Sequence, residues 1–126
     1  MNIIISLLFV AATSTAPSYF SVDKIFKKNS TQILASLEII PEQGWKWNEK
    51  YPSKFWILRD WSPETKLLVQ KEIVYSERGT QVIFKLSGKV KPVNKIIIDG
   101  TFSLCSKVIC KVWRFKTFEV GGQNEA

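Results

Sequence analysis

The sequence predicts an all-β protein built as a β-sandwich, and three observations carry that prediction. Short runs rich in Val, Ile, Phe, Tyr and Trp recur at spacings of about 8–12 residues. Clusters of Gly, Pro, Asn, Asp and Ser punctuate them. No stretch carries a convincing amphipathic-helix pattern. Seven or so strands follow from this pattern. With 126 residues there is room for one domain. The 45% apolar and 23% charged composition is that of a globular chain, and 13% aromatic residues can fill a sizeable core.

Taken in order, Met1 to Ala16 reads as a secretory signal peptide. Ile3 to Ala12 is apolar but shorter than the ~20 residues that span a bilayer. Ser14-Thr15-Ala16 supplies small residues for cleavage. That reading places the mature chain in an oxidising compartment. No later segment is long and apolar enough to be transmembrane. Residues 17–31 form a lead-in segment or an edge strand, and Asn29-Ser30-Thr31 fits the N-glycosylation acceptor pattern. Residues 32–120 hold the sandwich. Gln32 to Ile40 alternates, with Ile33, Ala35, Leu37 and Ile39 on one face. Pro41 to Gly44 breaks the chain. Gly44-Trp45-Lys46-Trp47-Asn48 follows, with Trp45 and Trp47 on the same side if extended. Ser53 to Leu58 is the next strand, ended by Asp60, Ser62 and Pro63. Lys66 to Tyr75 contains two apolar runs split by Gln70-Lys71-Glu72. Thr80 to Ser87 alternates with Val82, Phe84 and Leu86 inward. Gly88 to Asn94 is a loop, and residues 121–126 read as a flexible tail.

The last strands hold both cysteines. Gly100 to Phe118 reads as a β-hairpin, with Cys105 and Cys110 closing a four-residue loop. Facing residues lie about 4.5–5.5 Å apart, within the Cα separation of about 4.4–6.8 Å that a disulfide needs. The same register pairs Phe102 with Trp113 and Leu104 with Lys111 on the opposite, core-directed face. The sulfurs then share the outer face with Thr101, Ser103 and Arg114. A one-residue bulge would reverse this for one strand.

Composition excludes several chemistries. There is no histidine, which removes Ser-His-Asp and Cys-His catalysis and imidazole metal ligands. Two cysteines make a poor zinc site, and no glycine-rich phosphate loop is present. No metal and no cofactor are expected. The net charge of +7 is spread along the chain without a basic arm, so a nucleic-acid partner is not expected. One specific option remains, thiol–disulfide exchange at Cys105 and Cys110. Lys107, Lys111, Arg114 and Lys116 are all positive, and nearby cations favour the reactive thiolate. The alternative is a structural staple. A loop of about six residues makes such a staple worth roughly 2 kcal/mol, against about 4.7 for a 100-residue loop.

Gly44-Trp45-Lys46-Trp47-Asn48, Tyr51-Pro52 and Gly100-Thr101-Phe102-Ser103-Leu104-Cys105 with Cys110 together carry a resemblance. Over roughly Gln32 to Val120 the chain resembles the N-terminal periplasmic domain of the thiol:disulfide interchange protein DsbD. Lys111-Val112 stand where that family often has prolines. The resemblance implies an immunoglobulin-like β-sandwich in the periplasm. Its Cys105–Cys110 pair would act as an electron relay of the thiol–disulfide oxidoreductase type. Cys110 would attack, and the partners would be thioredoxin-like or disulfide-isomerase proteins. The family's acidic, aromatic cap loop has its nearest counterpart in Glu72 to Tyr75. Trp45, Trp47, Tyr75, Lys107 and Lys111 are the residues expected to line the site. The competing expectation is a secreted binding module, with a structural bridge and with Trp45, Trp47 and Tyr75 lining a protein- or sugar-binding surface.

Overall fold

Alternation is what builds the first sheet. In β2 (Gln32–Pro41) Ile33, Ala35, Leu37 and Ile39 point inward and are essentially inaccessible. They pair antiparallel with β6 (Thr80–Ser87), where Ile33 faces Leu86, Ala35 faces Phe84 and Leu37 faces Val82. Ala35 opposite Phe84 sets a small side chain against a large one, which helps the layer fill without voids. β1 (Phe20–Lys28) pairs along one side of β2, so the segment before Gln32 contributes an edge strand. β5 (Leu68–Tyr75) forms the other edge as one continuous strand. Its two apolar runs are the inward residues Val69 and Ile73 on either side of an exposed middle. The order is β1-β2-β6-β5.

These positions come from a computed structural model that describes residues 18–58, 68–88 and 94–122. The expected signal peptide, the Asp60-Ser62-Pro63 strand end, most of the Gly88–Asn94 loop and residues 123–126 lie outside the described residues.

The second sheet is centred on β7 (Lys95–Cys105). β8 (Cys110–Gly121) lies along one edge of it. Along the other edge run β3 (Lys46–Trp47) and β4 (Lys54–Leu58), two pieces of one interrupted strand. The two sheets therefore read β1-β2-β6-β5 and β3/β4-β7-β8. That is the ABED and CFG arrangement of the immunoglobulin-like sandwich. All described strand pairs are antiparallel, and no helix occurs among the described residues.

The core lies between the sheets. Phe55, Ile96, Ile98, Phe102, Leu104 and Val120 from the second sheet meet the β2 and β6 residues. Each side chain removed from water in this way contributes about 1.5–3 kcal/mol before the cost of ordering it. Gly100 permits one close approach, because a Cβ there would stand 2.5 Å from the Phe55 ring. At the sandwich edge the Lys71 ammonium donates to the Phe55 carbonyl, 3.0 Å away, and so ties β5 to β4.

A bulge decides which residues of β8 face inward. Trp113 pairs with Phe102, while Phe118 pairs with Ile98 and Val120 with Ile96. Trp113 and Phe118 are an odd number of residues apart, so a regular strand would send them to opposite faces. The register shifts between Gly100 and Phe102, opposite Arg114 and Phe115. Phe115 takes a left-handed backbone with φ of 54°, and its amide donates to the Thr101 hydroxyl at 3.1 Å. The inserted residue resets the alternation, and Trp113, Phe118 and Val120 all face the core.

Candidate functional site

The cysteine loop is shaped by one side chain. The Ser106 hydroxyl accepts the amides of Val108 and Ile109 at 3.1 and 3.2 Å. The Ser106 amide donates to the Ile109 carbonyl at 2.7 Å. This closes a four-residue turn without glycine and leaves Val108 and Ile109 85% and 55% exposed. Cys105 and Cys110 face each other at its base and are joined by a disulfide. Their Cα atoms are 3.9 Å apart, closer than the window expected for a facing pair.

Burial follows the expected parity with one exception. Phe102 and Leu104 are fully buried, Cys105 is half-buried, and Cys110 and Arg114 are exposed. Ser103 departs from it. It shares the outer face with the sulfurs yet is only 1% exposed. Asn48 covers it, donating its side-chain amide to the Ser103 hydroxyl at 3.2 Å and its backbone amide to the Ser103 carbonyl at 2.9 Å. Asn48 also accepts from the Lys50 amide at 3.2 Å. The residues between β3 and β4 are thereby pinned against β7.

That pinning shapes a groove. Lys46 is the β3 partner of Cys105. Between this strand and the cysteine loop lies an open cavity of about 800 Å³, lined by both cysteines together with Trp45, Trp47 and Asn48. Lys46, Lys50 and Lys107 supply its ammonium groups, against the carboxylate of Glu49. The three lysines are exposed, and none forms an ion pair among the described residues.

A continuous aromatic layer underlies the groove. Phe102 is stacked between Trp47 and Trp113, each at 5.4 Å. Trp113 meets Phe20 and Tyr19 edge-on, and Tyr19 in turn meets Trp45 at 5.0 Å. Such contacts add about 0.5–1.5 kcal/mol each beyond area burial. Trp45 and Trp47 thus serve both as packing and as groove wall, and both lie half-buried.

The expected site residues are distributed as follows. Trp45, Trp47 and Lys107 line the groove beside the cysteines. Lys111 does not line it. It is on the core-directed face, with its ammonium 4.9 Å from the centre of the Tyr19 ring. Tyr75 stands at the end of β5 in the other sheet, 6.3 Å from the Trp47 ring, and the two line a smaller recess of about 240 Å³. Glu72 to Tyr75 is strand, not a loop over the cysteines. Sequence reasoning counted neither Lys46, Lys50 nor Tyr19 among the site residues, and it used Asn48 only as part of the stretch that carries the resemblance. Lys46 and Lys50 flank the Trp-Asn stretch, but nothing local tells that β3 pairs with the end of β7. Compared with protein-family models, with curated proteins and with solved structures, the chain matches none.

Proposed function

We propose that this chain is a thiol–disulfide exchange domain of the DsbD N-terminal kind. In this reading it works in the periplasm and relays reducing equivalents through Cys105 and Cys110 to or from thioredoxin-like or disulfide-isomerase partners. The observation that carries the reading is the exposure of Cys110 at the mouth of a groove, on the face opposite the core aromatics. A bond held under Phe102 and Trp113 would have been closed to any partner. The basic surroundings add support, since cations stabilise a thiolate leaving group.

The chemistry is a pair of exchanges. A partner thiolate attacks the Cys110 sulfur, the Cys105–Cys110 bond breaks, and Cys105 leaves as the thiolate beside Lys46. The partner is then joined to Cys110. Its second thiol, deprotonated, attacks its own sulfur in that mixed disulfide and releases the Cys110 thiolate. Two electrons pass from the partner dithiol, which becomes a disulfide, to the pair, which takes up two protons to become two thiols. In the donating direction the Cys110 thiolate attacks a partner disulfide and Cys105 resolves the product. The half-burial of Cys105 suits the resolving role, because an incoming partner meets Cys110 first.

The test is a redox titration of the Cys105–Cys110 couple against glutathione, followed by alkylation and mass measurement. A potential of about −120 to −230 mV with fast exchange is the expected outcome. A couple below about −300 mV that stays closed would leave the bridge as a structural staple in a secreted binding module.

A further inference from the structure

The groove beside the disulfide is basic and open, and none of its lysines forms an ion pair among the described residues. Lys46, Lys50 and Lys107 line it, and Glu49 is its acidic lining residue. Beyond Cys110 the turn presents Val108 and Ile109, which are 85% and 55% exposed. A chain segment laid over the disulfide therefore meets the ammonium groups of the groove and the exposed apolar residues of the turn. We infer that the groove docks a partner-protein segment whose reactive cysteine is flanked by acidic residues. This rests on the exchange reading above and names the chemistry of the partner at that same site.

Charge complementarity selects this occupant. A second copy of this chain would bring another net charge of +7 against the same lysines. A small thiol would fit the cavity, but it has no atoms to reach Val108 and Ile109. An acidic segment gains on approach, because opposite charges on the two surfaces raise the encounter rate. It gains again when its carboxylates settle against ammonium groups that form no other ion pair. Trp45 and Trp47 supply an aromatic wall to one flank of the segment.

The experiment measures how fast short single-cysteine peptides open the oxidised full-length chain, with rates corrected for thiolate fraction. One peptide flanks its cysteine with aspartates, one with lysines, and glutathione is the small-thiol arm. At low salt the aspartate peptide should react about tenfold faster than the lysine peptide. The gap should shrink to about twofold in 1 M salt, where the screening length falls to about 3 Å. Lys46→Glu with Lys107→Glu should reverse the preference, and Lys50→Glu alone should weaken it. Lys24→Glu with Lys27→Glu, the same charge change on exposed positions of β1, should leave it standing. Equal rates for the two peptides would overturn the inference while leaving exchange intact. So would loss of the preference in the β1 variant, or glutathione reacting as fast as the aspartate peptide. If no thiol opens the bond, the exchange reading falls and takes this one with it.

Discussion

Phe102 is where packing and site meet. It sits on the central strand of its sheet, stacked between Trp47 and Trp113, directly beneath the groove. Phe102→Ala should cost about 3–5 kcal/mol, read as a lower urea midpoint with an unchanged slope, because the stack cannot collapse onto so large a void. Asn48 and Ser103 make a different kind of contribution. Asn48→Ala leaves the Ser103 hydroxyl buried without its partner, at a cost of about 1–3 kcal/mol. It should also change the fluorescence of Trp47, the next residue, which Phe102→Ala would change for another reason. Sequence parity places Ser103 outward with the sulfurs and is right about its direction. It misses the burial, because the residue that covers Ser103 comes from the connection between β3 and β4, distant in sequence.

Among the elements, what was legible was what is local. The alternation of Thr80 to Ser87 and the facing of Cys105 with Cys110 depend on neighbours a few residues away, and both hold. The groove depends on Lys46 pairing with Cys105, and nothing within either segment encodes that pairing. The β8 bulge lies between these cases. Its signal was present as the odd spacing of Trp113 and Phe118, two large apolar residues that both need the core. The bulge also yields a prediction. Phe115→Gly removes a left-handed strain of about 1–2 kcal/mol and loses the edge contact with Trp56, so its unfolding midpoint should stay near that of the parent. Deleting residue 115 restores strict alternation and turns Phe118 and Val120 outward. That deletion should abolish cooperative unfolding, as followed by near-ultraviolet circular dichroism. If the deletion were as stable as Phe115→Gly, the bulge would not be what sets the inward face of β8.

For the whole molecule, the disulfide is a local clasp on a fold held by two sheets. It joins facing residues of one hairpin and does not cross the core, unlike the inter-sheet bridge of antibody domains. Its chain-entropy contribution is roughly 2 kcal/mol, as expected for a loop of about six residues. Neither cysteine belongs to the core between the sheets. Reduction should therefore lower the urea midpoint without changing the slope of the transition, because that slope scales with the surface exposed on unfolding and so short a loop hides little of it. The folding rate should also respond weakly. The pairings that close long stretches of chain are β2 with β6 and β3/β4 with β7, the kind that makes sandwiches slow to fold, and the hairpin loop adds little closure entropy to them. An exchange domain needs this independence, since its bond must open and close while the surface a partner binds stays formed. Stopped-flow refolding of the oxidised and reduced forms, with urea titrations of each, reads both quantities. A large fall in slope or a many-fold change in folding rate on reduction would show that the clasp organises the sandwich, and a bond in that role is unsuited to turnover.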